Sequence, residues 1–556
     1  MSRAANGGSL RSGRTQVLIA GAGPVGLALA IELGHRGIAC LVCERNERVG
    51  LAPRAKTTNV RTREHLRRWG IARELAAASP FGVDYPSNVL FVTRLAGREL
   101  ARFPNAFHCA PARDPRYSEH AQWIPQYLLE DVLRRHAQTL PGVRIHFNAE
   151  VETVEHDAGA VRSRVRDRLT GHVVDVESDY AVGADGARSR LREIIGACLE
   201  GTPVLSRNYN VVFRAPGLAQ AHRHGPGIMY WHVNADAPCL LGPMDRDHTW
   251  FFMPTDVAPG TTLPAADVAA RIARATGIDL PYEVQSADEW KASRLLADRY
   301  RSGRVFLAGD ACHLHPPFGG YGMNMGIGDG VDLGWKLAAV LQGWAAPTLL
   351  DSYEVERRPV HEEVMDEAVA NHALLGNHLW RDGLEDDGPA GDHLRAEVGA
   401  RIVAAKSREF ENLGVVLGTS YSGSPWVVPD GSSPPPRHHA QPTPSAHPGC
   451  LAPHAWLDEA TSLYDRFGQG FTLLVLDEGE DDVPAAETAA HARGVPLRVV
   501  RLPQPELRER FGADRVLVRP DQHVAWRGTR CGDFAAILAR VVGAAAVSPP
   551  CASLRS

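Results

Sequence analysis

The spacing of apolar residues changes several times along the chain. QVLIA (16–20) and IACLVCE (38–44) are unbroken apolar runs of strand length. Strands buried on both faces of a parallel sheet show this pattern. Between them, GAGPVG (21–26) predicts a tight turn, and LALAIELGHRG predicts a helix ended by a glycine. Residues 61–78 predict one helix, and QYLLEDVLRRHAQ (126–138) predicts an amphipathic one. NVLFVTRL, RELARF, RIHFNAEVETVEHD, VRSRVRDRL, HVVDVES and YAVGAD predict strands, and residues 205–295 are β-rich. RVFLAGDA returns to a buried strand, followed by a glycine-rich loop and a helix over 323–341. After a Pro-, Ser- and His-rich stretch, strands and helices alternate again up to DFAAILARVV.

These shifts divide the chain into six parts. A polar arm (1–14) comes first. A first domain lies in three pieces (15–85, 120–204 and 296–365), and a β-sheet domain lies in two (86–119 and 205–295). A helical segment (366–428), a linker or surface crossing (429–453) and a small α/β domain (454–556) follow. The overall class is α/β and α+β.

A chain of 556 residues is too long for one core. The net charge of -5, from 60 basic and 65 acidic residues, is near balance, so no nucleic-acid partner is expected. The nine cysteines are scattered and odd in number, which points to a reducing cytoplasm. Cys40 and Cys43 stand three apart in an apolar strand and read as packing. The apolar stretch 16–34 is interrupted by Gly21, Gly23 and Gly26, and no other stretch approaches the roughly 20 residues a membrane span needs. No membrane partner is expected. No residue set has zinc spacing, so no metal is expected either.

GAGPVG carries the first chemistry. Gly21 permits the turn, Gly23 lets backbone approach a pyrophosphate, and Gly26 lets helix and strand pack closely. Pro24 opens the helix, whose N-terminus offers unpaired N–H groups to phosphates. Glu44, at the end of the second strand, suits a ribose diol. FAD and NAD both fit this motif. The loop GDACHLHPPFGGYGMN (309–324) provides a second helix N-terminus aimed at a ligand.

With GADGARS (183–189) between them, these motifs resemble the single-component flavoprotein aromatic hydroxylases, over about residues 10–430. That family includes phenol hydroxylase, p-hydroxybenzoate hydroxylase and the polyketide hydroxylases. The resemblance implies a Rossmann-type FAD-binding domain with an inserted substrate-binding β-sheet domain. The tail resembles the thioredoxin-like domain of some members, but without C-x-x-C.

Site roles follow from the same resemblance. Glu44 would hold the FAD ribose, and Arg45 would lie by the adenine. Arg54 and Gln126 would contact the pyrophosphate and ribityl region. Val151 would meet the adenine through backbone. Asp310 would bond the ribityl chain, and Gly320, Gly322, Met323 and Asn324 would face the pyrimidine ring. Asp185 and Arg188 belong to the motif that the family links to FAD and NAD(P)H.

The implied reaction is hydroxylation of a phenolic ring with O2 and NADPH or NADH, through a flavin hydroperoxide that must be shielded from water. The substrate would be a small phenol or catechol, or a polycyclic polyketide. Val211, Val212, Phe213, Met229, Tyr230, Trp231, Phe251 and Phe252 are available as apolar cover. A phenol, with a pKa of about 10, calls for a base or acceptor. In phenol hydroxylase-like sequences an Asp precedes the R-T-x-E helix, whereas here PRAKTTNVRTRE puts Lys56 in that place. Lys56, Tyr230, His232 and Pro317 are the pocket candidates. A homodimer is the family habit. The alternatives are a C=C reductase or epoxidase on the same fold, or a non-catalytic binding protein.

Overall fold

The computed structural model describes residues 10–47, 55–255, 257, 264–373, 376–479 and 481–545. Val17 to Ala20 and Cys40 to Cys43 are buried without a break, as their apolar runs require. They lie at the centre of an eight-stranded sheet. Its main path runs Arg301–Ser302, Val305–Leu307, Val173–Gly183, Gly13–Ala20, Cys40–Glu44, Val143–Phe147. The four pairings from Val305–Leu307 across to Val143–Phe147 are parallel. The strands Ala149–His156 and Val161–Asp167 form an antiparallel extension.

The helix Pro24–His35 is buried from Gly26 to Leu33 because a second helix, Gly322–Leu341, lies against it. Glycines on the second helix make this approach possible. A Cβ at Gly326 would lie 2.6 Å from Val25 Cγ2. One at Gly330 would lie 3.0 Å from Leu29 N, and one at Gly334 2.7 Å from Glu32 Cγ. The contacts ascend both helices together, so the helices are parallel and their N-termini adjoin.

Local predictions are altered in three places. The helix expected over 61–78 is two, Val60–Arg68 and Ala72–Ala78, broken at Gly70 with φ +82°. HVVDVES and YAVGAD form one strand, Val173–Gly183. Leu199–Arg214 begins before the expected 205.

A second eight-stranded sheet runs His313–Leu314, Glu283–Ala297, Leu199–Arg214, Thr249–Pro254, Cys239–Pro243, Met229–His232, Val89–Val92, Glu99–Phe103. Both faces are apolar, and alternation sorts the side chains between them. Trp231, Leu240, Phe251, Val89 and Phe91 share one cluster, with Met229 packed against it. Val212 is paired with Phe251 and joins that face. Tyr230, Val211, Phe213, Leu241 and Phe252 form another cluster, against Val268 and Ile272 of the helix Ala265–Thr276. His232 lies two residues from Tyr230 on this outer face. The expected apolar cover is therefore two layers, and Tyr230 and His232 belong to the one turned away from Phe251.

The tail forms a four-stranded sheet, Leu497–Arg501, Phe471–Val475, Arg515–Val518, Val524–Gly528, with thioredoxin-like mixed pairing. It meets the first domain through buried charge. Arg519 donates to Glu356 at 2.7 and 2.9 Å, to Asp332 at 3.2 Å and to Asp521 at 2.7 Å. Lys336 donates to Asp332 and Glu356, each at 2.7 Å. Burial works against the Glu356 carboxylate, but Arg519 and Lys336 outweigh it and hold the group below its usual range. The stretch expected as a linker ends in packed chain. Ala446 and Ala452 are buried, and Leu451 bridges to His523.

Two outcomes follow. Arg519→Ala leaves three buried carboxylates short of a cation, so urea unfolding is expected to show a loss of about 3–5 kcal/mol. Burial pushes His232 down to about 3. The folded state keeps it neutral while the unfolded chain takes up a proton near pH ~6.5. Its contribution is complete above that pH and is lost as pH falls toward 3. His232→Leu is expected to flatten that part of a pH series of urea midpoints and to leave turnover unchanged.

Candidate functional site

Two glycines of the first turn are required by packing. Gly21 has φ +104°, and a Cβ there would lie 2.3 Å from Ala184 O. A Cβ on Gly26 would lie 2.0 Å from Gly21 O. Gly23 is different: a Cβ built on it meets nothing within 4 Å. The helix it starts, with Pro24 in its first turn, has no side-chain cap and no acidic residue in that turn. Its amide N–H groups are open to an anion. Glu44 reaches the same turn and accepts from Ala22 N at 3.0 Å.

The second junction has the same character. The helix Gly322–Leu341 has no side-chain cap. A Cβ on Gly322 would meet only His315 Cβ, at 4.0 Å. Gly319 and Gly320 have φ +85° and +68°, which turns the loop into the helix. A Cβ on Gly309 would lie 2.7 Å from Val25 Cγ2, so exposed Asp310 stands beside the first junction. Two uncapped helix ends, open backbone at Gly23 and Gly322, and a carboxylate at the first turn fit a flavin dinucleotide.

Residues not anticipated from sequence hold this junction in place. Asp329, 0% exposed within the long helix, accepts from Gly309 N at 3.0 Å and Arg357 Nε at 2.8 Å. It also pairs with His313 Nε2 at 2.8 Å and His361 Nε2 at 2.9 Å. Burial raises its pKa, but His361, Arg357 and His313 together hold it well below the usual carboxylate value. Cys312, His313 and Asp329 lie within ligand distance of one another, though Asp329 is already engaged by these partners. An acid inside the apolar run GIGDGVDLGWK was the available signal.

Asn324 is committed to the protein. Its Nδ2 donates to Thr57 O at 2.9 Å and Gly320 O at 2.7 Å, and its Oδ1 accepts from Asn59 N at 3.0 Å. It clasps the strand Thr57–Thr58 to the glycine loop. Gln126 braces the preceding residue: Ala55 N donates to Gln126 Oε1 at 3.2 Å. Lys56 lies between these two supports, and its Nζ is 4.1 Å from the centre of the Phe251 ring. Lys56 therefore sits between the glycine loop and the inner sheet face. Phe318 of the loop comes within 6.3 Å of Trp231, ring centre to ring centre. Trp231, Phe251 and Phe318 form a buried aromatic cluster beside the second helix end, with the Lys406 ammonium 5.4 Å from the Trp231 ring and 5.9 Å from the Phe318 ring.

The remaining expected residues are spread around this centre. Arg45 is exposed, and its carbonyl accepts from Arg168. Val151 is buried in the antiparallel extension. Asp185 Oδ2 accepts from Arg190 N at 2.7 Å, while its buried Oδ1 has no partner among the described residues. Arg188 and Pro317 are exposed, and Met323 packs against the core. Arg54 lies outside the described residues.

Comparison with known proteins agrees with this geometry. Residues 14–368 match the FAD binding domain family, and residues 445–545 match the aromatic-ring hydroxylase C-terminal family. Tetracenomycin B2 monooxygenase-dioxygenase of Streptomyces olivaceus is 34% identical, covering 93% of this chain and 96% of its own. 2,4-Dichlorophenol 6-monooxygenase of Delftia acidovorans is 31% identical, covering 93% and 95%. The structure of the rebeccamycin biosynthetic enzyme RebC with reduced flavin superposes with a TM-score of 0.88 at 35% identity, covering 97% of this chain and all of that one. The chain belongs to the FAD-dependent aromatic-ring hydroxylases, a family of flavoprotein monooxygenases.

Proposed function

We propose that the chain hydroxylates a phenolic ring held between the inner face of the second sheet and the loop Gly319–Gly322. The observation that carries this reading is the parallel pair of uncapped helix ends beside the inner aromatic face of the second sheet. Bound FAD supplies the activation of O2 and the delivery of one oxygen atom to the ring, with NADPH or NADH as reductant. The protein's part is to bind, orient and exclude water.

In this reading Gly21, Gly23, Pro24 and Gly26 cradle the pyrophosphate, and Glu44 accepts from the ribose. Arg45 and Val151 lie toward the adenine and Gln126 toward the middle of the cofactor, a role that the family resemblance also gives to Arg54. Asp310 meets the ribityl chain, Asp185 and Arg188 serve FAD and the reductant, and the Gly322 helix end stabilises negative charge on the reduced ring. Gly320, Gly322, Met323 and Asn324 position that ring. Asn324 acts by shaping the loop, since its side chain is already engaged. Trp231, Phe251 and Phe318 keep the ring site dry.

The substrate is a substituted phenol or a polycyclic phenol; relatives named for dichlorophenol and for tetracenomycin support both sizes. No helix among the described residues is long and apolar enough to cross a membrane. The scattered and odd-numbered cysteines of the sequence keep a reducing cytoplasm as the expectation. A homodimer remains the family-based expectation.

A panel of phenols and polycyclic phenols, scored by product mass with H2O2 measured alongside, tests the reading. Insertion of one oxygen atom coupled to NAD(P)H oxidation is expected. Hydrogen addition to a C=C bond overturns it. Gly23→Val fills space that no protein atom occupies, so the fold is expected to persist. FAD content by absorbance is expected to fall about tenfold, the effect of ~1.4 kcal/mol.

A further inference from the structure

Asn412 stands at the N-cap of the helix Leu413–Leu417, yet its side chain forms no cap hydrogen bond. Asparagine is favoured at that position because its side-chain oxygen serves the free N–H groups of the first turn. Here the carboxamide turns elsewhere. Asn412 is only 3% exposed, and its Nδ2 donates to Gly319 O at 3.2 Å and to the Tyr321 hydroxyl at 3.3 Å. A cap given up for a buried bond to a loop 93 residues away breaks a local rule, and such breaks gather where function needs them.

The loop in question is the turn into the helix Gly322–Leu341. Gly319 and Gly320 both have positive φ, and a Cβ on Gly319 would strike the Tyr321 ring. Within the turn, Gly320 N donates to Pro317 O at 3.3 Å, a long bond and a weak hold. Two carboxamides add what the backbone lacks. Asn324 Nδ2 holds Gly320 O at 2.7 Å from the long helix, and Asn412 holds Gly319 O from outside it. In a planar trans peptide the C=O and the following N–H point in opposite directions. Fixing the carbonyls of Gly319 and Gly320 therefore fixes the N–H groups of Gly320 and Tyr321.

Asn412 is itself firmly placed. Val415 N donates to His439 O at 3.2 Å, and a Cβ on Gly414 would strike His438 O, so the chain at 438–439 lies directly on this helix. On its other side Val415 packs against the cluster of Tyr321, Val360, Val364, Ala368 and Tyr421.

We propose that Asn412 is a positioning residue for the flavin: through the Gly319 carbonyl it sets how the glycine loop presents its N–H groups to the pyrimidine end of the ring, and so how strongly the protein favours the reduced cofactor. This rests on the hydroxylase reading above and deepens it. Negative charge on the reduced ring is stabilised by N–H groups already held in place. Without the Asn412 amide the Gly319–Gly320 peptide is free to turn, since glycine on both sides tolerates other conformations. A turned peptide offers its carbonyl oxygen in place of an N–H, which works against the added charge. A residue beyond the FAD-binding match at 14–368 thereby takes part in tuning the cofactor.

The test measures the reduction potential of the bound FAD in the intact chain, against a dye of known potential. Asn412→Leu keeps the approximate volume and removes the donor. Its bound FAD is expected to favour the reduced form about tenfold less, a fall of about 30 mV for a two-electron couple. Val415→Ala is the control. It loosens the same helix and leaves the carboxamide in place, so its Tm is expected to fall while the potential stays at the wild-type value.

An unchanged potential in Asn412→Leu with FAD bound overturns the proposal. An equal fall in Val415→Ala also overturns it, in favour of general loosening. If Asn412→Leu does not fold or loses FAD, Asn412→Ala, which removes the amide without new bulk, decides by the same measurement: a lowered potential supports the proposal, and an unchanged one overturns it. A wild-type chain that takes up no FAD overturns the functional reading and this proposal together, whereas an unchanged potential in a variant that binds FAD overturns this proposal alone.

Discussion

Close contact between two parallel helices is the constraint from which the site follows. Gly326, Gly330 and Gly334 remove the side chains that would separate Gly322–Leu341 from Pro24–His35. Two helix ends, almost 300 residues apart in sequence, then adjoin. Each end carries unsatisfied N–H groups and partial positive charge. Adjacent, they offer N–H donors and partial positive charge side by side, in keeping with a bound dinucleotide. Larger side chains at those glycines would push the helices apart and separate the two ends.

Behind these ends the protein sets buried charges against each other. Asp329 gathers Arg357, His361 and His313 beneath the Gly309–Asp310 turn. Further along the same helix, Asp332 and Lys336 join Glu356 and Arg519. Such groups add little net stability relative to an apolar core, but each is costly to leave alone. Their effect is to fix how the long helix sits against its neighbours, including the tail.

Much of this was legible locally. GAGPVG between two apolar strands, and the loop around Gly319–Gly322 before a helix, depend on near neighbours in sequence and were read correctly as turns into helices. The break at Gly70 was also local, although the strong helical pattern on both sides of Trp69-Gly70 concealed it. Features set by distant partners were not legible. Asn324 looks like a ligand-facing residue until Thr57, Asn59 and Gly320 are seen to occupy it. Tyr230 and His232 could not be assigned a side, because strands apolar on both faces carry no polar alternation to mark the interior. The pairing of Arg519 with Glu356 joins segments 163 residues apart and has no signature in either.

The two-layered sheet has a consequence for how such an enzyme diversifies. Neighbouring positions on one strand answer to different demands: Met229 and Trp231 belong to the inner aromatic face, while Tyr230 and His232 lie on the face backed by the helix Ala265–Thr276. Change at the first pair reshapes the inner aromatic face, and change at the second adjusts how firmly the sheet is backed. Selection can therefore explore new aromatic chemistries and buffer the resulting losses of stability within the same few residues, without altering the topology that brings the helix ends together.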